Sequence, residues 1–168
     1  MSGPAPEVVT LHVWRVPRRR VLAAVVRMAS DRRRVRRVPG IGFAKLLGTA
    51  DGDTLTPRGA DPTRWALVAA WARAGDADWF ERSAVSRGWA RLAEETCRIL
   101  MRPLSSRGRW SGRHPFGQPH QPGRTSEPAP TTAGRWDGPV AALTRARLAP
   151  LRAVGFWRAV PPVAGQLR

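Results

Sequence analysis

Residues 8–16 read VVTLHVWRV, and the alternation within this stretch decides the fold. The side chains of residues 9–14 alternate between two sides of the chain. One side carries Val9, Leu11 and Val13, and the other carries Thr10, His12 and Trp14. A period of two is typical of a β-strand. Pro17 suits the first turn of a helix, so the stretch predicts a strand that leads directly into a helix.

The residues that follow predict the rest of one α+β unit. An apolar stripe with the spacing i, i+3, i+4 and i+7 predicts an amphipathic helix that ends between Asp31 and Arg37, the stripe being Leu22, Val25, Val26 and Ala29. Further strands are predicted over 43–49, 65–71 and 96–102. A second helical segment lies before the last strand, with Asp76 as its N-cap, and it resumes after Ser83. The order β-α-β-β-α-β is the ferredoxin-like arrangement.

The two faces of this sheet have different expected neighbours. Both helices are expected on one face. If Val9, Leu11 and Val13 pack on the helices, the side that carries Thr10, His12 and Trp14 stays uncovered. An exposed apolar face of that size predicts a partner sheet. Two units stacked sheet to sheet form a dimeric α/β barrel with a cavity between them, and we expect a homodimer through the open sheet face.

Composition shifts divide the 168 residues into four parts. Residues 1–7 are predicted to be a loose tail and residues 8–117 the ferredoxin-like domain. Residues 118–135 are predicted to be a flexible insert, because they are rich in Pro, Ser, Thr and Gly. Residues 136–168 resemble the start of a second ferredoxin-like repeat, with a strand over 140–148 and a helix over 151–160. An incomplete repeat cannot bury its faces, so a truncated chain is expected.

The charge of the chain is strongly basic, at +17 with a sequence pI of about 12.0. Arginine supplies 28 of the basic residues and Lys45 the other, and the arginines spread along the whole chain. This distribution predicts nonspecific affinity for anions, including peripheral membrane contact, but no specific nucleic-acid function. Cys97 is alone, and the N-terminus does not resemble a signal peptide, so a cytoplasmic location is expected.

The loop Pro103–Phe116, PLSSRGRWSGRHPF, concentrates the functional groups of the chain. Loops on a rigid scaffold often carry binding and catalysis, although a basic surface turn is the alternative interpretation. The three histidines, His12, His114 and His120, occur without HExxH or CxxC spacing, so no protein-built metal site is expected. Walker A, GxGxxG and G-x-S-x-G motifs are also missing from the sequence, and no catalytic residue can be assigned.

Several blocks of sequence resemble the spheroidene monooxygenase family of carotenoid oxygenases. They are PGIGF at 39–43 with Lys45, Leu46 and Gly48, RGRWSG at 107–112 with Pro115 and Phe116, ALTRA at 142–146, and FWRAVP at 156–161. The resemblance covers nearly the whole chain apart from the first residues and roughly 118–135. It implies an O2-dependent monooxygenase that inserts a keto group into an acyclic carotenoid. It also implies haem as cofactor and the dimeric α/β barrel plan.

The resemblance implies a site for haem and a site for an apolar small-molecule substrate, but assigns no catalytic residue. The candidates for binding the cofactor are His12, Arg107, Arg109, Trp110 and His114, and those for binding the substrate are Trp14, Phe43 and Phe116. His12 is interpreted either as an iron ligand or, more commonly for such a residue, as a hydrogen-bonded core histidine. The loop arginines, with Arg113 among them, are expected to pair with haem propionates.

A second hypothesis is a noncatalytic ferredoxin-like module that binds RNA or an acidic partner through its basic surface. Sheet-based RNA recognition needs exposed aromatic residues on central strands, and Trp14 and Phe43 suit that role. The sequence contains no RNP-like block, however, which favours the oxygenase. An inactive fragment of an oxygenase is a third interpretation.

Overall fold

A computed structural model describes residues 5–50, 60–106, 109–110, 112–116 and 138–143. In chain order its elements are β1 (Val8–Arg15), a short 3-10 helix (Arg18–Arg20), α1 (Val21–Val35), β2 (Ile41–Ala50), β3 (Ala60–Trp71), α2 (Ala74–Phe80), α3 (Ala84–Leu92) and β4 (Glu95–Met101). The strands form one sheet in the order β2-β3-β1-β4, with β1 antiparallel to both of its neighbours. This is the ferredoxin-like order, so the predicted fold class is confirmed.

The face of the sheet that packs on the helices holds the larger core. Its buried side chains include four tryptophans, together with smaller residues of β1 and β3, namely Val8, Trp14, Trp65, Leu67, Ala69, Trp71 and Trp89. Trp14 stacks on Trp89 of α3 with ring centroids 5.1 Å apart. Thr10 is fully buried on the same face, where its Oγ1 accepts a hydrogen bond of 2.8 Å from Nε1 of Trp71.

The predicted assignment of the two faces is therefore wrong. Thr10, His12 and Trp14 lie on the side covered by helices, while Val9 belongs to a separate cluster on the other face. Stacked aromatic rings fill the space between the sheet and the helices, and Trp14 supplies one of these rings. Its side of β1 therefore faces the helices.

Helix α1 confirms the predicted helix but buries a different side of it. Leu22 and Val26, two members of the apolar stripe, are 81% and 68% exposed, whereas Ala24 and Asp31 are completely buried. An amphipathic stripe ordinarily faces the core. Here the buried side is the one that fits close to α3. Asp31 accepts hydrogen bonds from Arg27 at 3.0 Å and Arg34 at 3.3 Å.

A glycine on α3 makes room for one of these arginines. A Cβ atom added at Gly88 would overlap the guanidinium of Arg27, so a larger residue would require the arginine side chain to move. The buried carboxylate of Asp31 holds Arg27 in this position. The contact between α1 and α3 thus combines apolar side chains of both helices, such as Ala24 and Trp89, with a small residue and an ion pair.

The helices after β3 begin slightly differently from the prediction. The predicted N-cap at Asp76 is wrong, because α2 begins at Ala74 and Asp76 lies in its first turn. An acidic side chain is still favourable there. Ser83 caps α3, since its hydroxyl accepts a hydrogen bond of 3.1 Å from the amide of Ser86.

The chain divides into two compact units, and the helices that the structure describes lie in the first, residues 1–49 and 60–120. The predicted insert, 118–135, lies outside the described residues. Of the predicted second repeat, 136–168, the structure describes only 138–143, which form neither a helix nor a strand. Within the described ranges, no helix is long and apolar enough to span a membrane.

Candidate functional site

The sheet face that points away from the helices carries an apolar surface. The strand register places side chains in rows across it, with Val9, Ala70 and Met101 in one row and Leu11, Val68 and Ile99 in the next. Val9, Val68 and Ala70 are buried, although none of the helices that the structure describes packs on this face. A segment that follows β4 must therefore shield them.

Aromatic side chains of the loop after β4 provide that shield. Phe43 on β2 contacts Trp110 and Phe116 edge to face, with ring centroids 5.3 Å and 6.1 Å apart. The two loop rings are themselves 6.4 Å apart. Such edge-to-face pairs contribute about 0.5–1.5 kcal/mol beyond the area they bury. These three residues form what we call the aromatic cluster, and they attach the loop to the open sheet face.

A tight turn shapes the loop. The amide of Trp110 donates to the carbonyl of Arg113 at 2.8 Å, and the amide of Arg113 donates back to the carbonyl of Trp110 at 3.2 Å. Gly112, within this turn, has a φ of 76°. A Cβ atom at Gly112 would meet nothing within 4 Å, so the left-handed backbone alone explains the glycine. Within the RGRWSG motif, Gly112 therefore has a structural function in positioning Trp110.

Two of the predicted cofactor-binding residues flank this turn. Nε of Arg109 donates to Nε2 of His114 at 3.4 Å. Nδ1 of His114 is buried and has no hydrogen-bond partner among the residues that the structure describes. Buried polar atoms are usually paired, so this nitrogen is a natural position for a polar group of a ligand. Arg107, a further candidate, lies outside the described residues.

His12 lies on the opposite face of the sheet. It is 2% exposed, and its ring lies 5.6 Å from that of Trp14 and 5.3 Å from that of Phe80. Burial, and to a smaller extent the positive charge of Arg98, lower the pKa of His12 from 6.5 to about 4. Glu81, with Oε1 3.5 Å from Nδ1 of His12, would oppose this, but that oxygen is also 3.3 Å from Nε of Arg98, which compensates its charge.

Sequence reasoning did not single out the charged residues around His12. Arg98 on β4 is paired in register with His12, and it also contacts Asp78 of α2 at 2.7 Å and Glu81. Side chains alternate along the strand predicted over 96–102, which puts Arg98 on the opposite side from Cys97 and Ile99, so strand register was the available signal. The positions of Asp78 and Glu81 depend on how α2 packs against the sheet, so they could not be predicted from strand register.

The structure thus separates the predicted site residues into two groups. One group lies on or beside the open sheet face and consists of Phe43, Trp110, Phe116, Arg109 and His114. The other group lies in the core under the helices and consists of His12 and Trp14. One bound molecule cannot contact both groups.

The group on the open face has the chemistry that haem requires. Histidine ligates haem iron, and arginine binds carboxylates such as propionates. Apolar and aromatic side chains suit the macrocycle, and the unpaired Nδ1 of His114 supplies a polar atom beside them. The surroundings of His12 are already filled by Trp14, Phe80 and Glu81. Nε2 of His12 is also buried without a hydrogen-bond partner among the described residues, but His12 is only 2% exposed and two aromatic rings pack on its imidazole. The residue types at the loop are therefore compatible with haem, whereas a macrocycle has no space at His12.

The fold and this site define the class of protein. It is a ferredoxin-like domain in which the described helices pack on one face of the sheet and the loop after β4 packs on the other. A solved structure of a protein of unknown function from Nitrosomonas europaea shares the fold, with a TM-score of 0.51 and 11% identity. The similarity covers 64% of this chain and 99% of that one. No family model matches the chain.

Sequence relatives identify the family. The chain is 36% identical over 141 residues to spheroidene monooxygenase of Rhodobacter capsulatus, covering 83% of this chain and 54% of that protein. It is 40% identical over 122 residues to spheroidene monooxygenase of Rubrivivax gelatinosus, covering 71% of this chain and 41% of that protein. The predicted relationship to the spheroidene monooxygenase family is confirmed. The chain spans about half the length of the curated relatives it matches.

Proposed function

We propose that this chain takes part in a monooxygenase reaction in which O2 oxygenates a long apolar polyene of the carotenoid type. The relatives named spheroidene monooxygenase support the reaction class. The single observation that carries the proposal is the aromatic cluster on the open sheet face, where Phe43, Trp110 and Phe116 meet over apolar strands. A flat, conjugated hydrocarbon binds well against aromatic rings and aliphatic side chains.

The residues of this face would act on the substrate by excluding water and holding it in place. Leu11 and Met101 are only partly buried beside the cluster, so apolar surface is available next to the rings. Burying it against a polyene is favourable by roughly 25 cal/mol per Å². Trp110 is positioned by the turn at Gly112, which gives the loop a defined conformation before substrate arrives.

Haem is the cofactor that the family resemblance implies, and we propose His114 and Arg109 as the residues that hold it. The imidazole suits the iron and the guanidinium suits a propionate. When bound, haem would activate O2, so that one oxygen atom enters the substrate and the other leaves as water with two electrons from an external reductant. The protein contributes a ligand, a charged anchor and a dry apolar wall.

Titration of the purified chain with hemin tests the cofactor assignment. We expect a shifted Soret band that His114→Ala abolishes and that the core variant His12→Leu retains. Retention of the band in His114→Ala together with its loss in His12→Leu would contradict the assignment to the loop. No Soret shift in the wild-type chain, with salt-sensitive RNA binding instead, would favour the noncatalytic module over the oxygenase.

A pair of tryptophan variants tests the substrate face. Trp110→Ala should weaken binding of spheroidene, measured by quenching of tryptophan fluorescence, by about tenfold or more because one ring of the cluster is lost. Trp79→Ala is the matched control, since Trp79 is 51% exposed on α2 and outside the cluster. Equal weakening in both variants would contradict a substrate site at the open face.

The uncovered part of the open face supports a second proposal, pairing with another copy of the chain. Ile99 is 43% exposed on this face at the edge strand β4. Light scattering after size exclusion should show a dimer that Ile99→Asp dissociates. Leu100→Asp should leave the dimer intact, because Leu100 lies on the other face of the sheet. Leu100 is also exposed, so it is a matched control for the added charge. A monomeric wild-type chain would exclude the homodimer.

A further inference from the structure

Helix α1 exposes an apolar surface that its own fold does not use. Leu22, Val25 and Val26 are 81%, 48% and 68% exposed, and Ala29 is exposed on the same side. Their spacing of i, i+3, i+4 and i+7 places them along one face of the helix. A contiguous apolar surface that is rimmed by polar residues often marks an interaction site. We call these four residues the α1 stripe.

Arginines border the α1 stripe at both ends. Arg18 and Arg19 precede the helix, and Arg33 and Arg36 follow Ala29 by four and seven positions, which keeps them on the same side. All four are exposed. Within the described ranges Arg33 and Arg36 form no ion pair, whereas Arg19 lies 4.0 Å from Glu94. The surface therefore presents an apolar centre with uncompensated positive charge beside it.

Negative charge is nearly missing from this segment. Nine arginines and a single acid, Asp31, occur between positions 18 and 37. Asp31 is completely buried and is paired with Arg27 and Arg34, so it does not offset the exposed arginines. A protein partner would have to be acidic and apolar at once, whereas an anionic bilayer offers both properties over an unlimited area.

We propose that the α1 stripe and its flanking arginines dock the protein on an anionic phospholipid surface. The apolar side chains enter the boundary between headgroups and acyl chains, and the arginines bind the lipid phosphates. The helix then lies in the plane of the membrane surface. This surface is independent of the proposed substrate face, because α1 packs on the opposite side of the sheet.

Vesicle sedimentation with the full chain tests the proposal. Vesicles of equimolar phosphatidylglycerol and phosphatidylcholine should bind the protein, and vesicles of phosphatidylcholine alone should bind it far more weakly. Val26→Asp should weaken binding to the anionic vesicles by at least about tenfold, because it places a charge in the centre of the apolar stripe. Leu22→Ser combined with Val26→Ser should weaken it also, without any change in net charge.

The matched control is Trp79→Asp, which makes the same change of charge at an exposed apolar position of another helix. It should bind vesicles almost as well as the wild type. Equal loss in Val26→Asp and Trp79→Asp would overturn the proposal, because net charge alone would then explain binding. Unchanged vesicle binding in Val26→Asp, with loss of a dimer in light scattering, would show that a second copy covers the stripe. Circular dichroism of each variant confirms that it is folded.

Discussion

Replacing His12 by leucine should remove most of the pH dependence of stability between pH 7 and pH 5. In the folded protein the pKa of His12 is lowered from 6.5 to about 4 by burial and by Arg98. The unfolded chain therefore binds a proton in this range while the folded chain does not. The contribution of neutral His12 to the free energy of unfolding is therefore present in full above pH 6.5, and it is lost as the pH falls towards 4.

The expected loss follows from the two pKa values. Between pH 7 and pH 5 the free energy of unfolding of the wild type should fall by about 2 kcal/mol on account of His12. The buried position of the ring, 2% exposed, means that solvent screening does not reduce this figure much. Leucine is close to histidine in volume and cannot titrate, so the variant should show little of this loss.

Urea unfolding followed by tryptophan fluorescence measures the effect at both pH values. Thr10→Val is the matched control, because Thr10 is buried on the same strand and face and makes one hydrogen bond, to Trp71. It should be less stable than the wild type by about 1 kcal/mol at both pH values. The reasoning is refuted if the wild type and His12→Leu lose equal stability between pH 7 and pH 5.

Two further predictions concern stability and can be measured in the same way. Gly40→Ala should cost more than about 1 kcal/mol, since Gly40 has a φ of 78° and a Cβ atom there would overlap Asp76, whereas Gly75→Ala within α2 should stabilise by about 0.5 kcal/mol. An equal effect of the two alanines would contradict the backbone argument. Asp31→Asn should destabilise by roughly 1–3 kcal/mol, because the buried carboxylate that accepts from two arginines loses its charge. A variant as stable as the wild type would show that this ion pair contributes nothing.

The functional role of the loop Pro103–Phe116 stays a prediction, but the structure does bring several of its singled-out residues together. Its mixture of arginine, aromatic and histidine side chains indicated function, and Trp110, His114 and Phe116 do lie on or beside the open sheet face. Phe43 was also singled out, and it is the strand residue that both loop rings contact. The contact itself could not be predicted, because the return of the loop over the sheet depends on the turn at Gly112.

His12 and Trp14 show where the sequence misled. Both were expected on the uncovered face, yet both lie under the helices. Residues 8–16 carry bulky apolar side chains on one side and a threonine, a histidine and a tryptophan on the other, so alternation alone cannot say which side faces the helices. The charged partners of His12 come from α2 and β4, far away in sequence, and they decide how a polar ring is tolerated there.

The sequence by itself determined the order of strands and helices and the family of the chain, since both depend on local periodicity and on short motifs. Tertiary structure alone decided which faces are buried. In α1 the stronger apolar stripe is exposed, whereas the side that packs against the rest of the fold carries Ala24, Asp31 and Val35. Periodicity specifies that a helix has two different faces, but only the shape of the neighbouring element determines which of them fits against it.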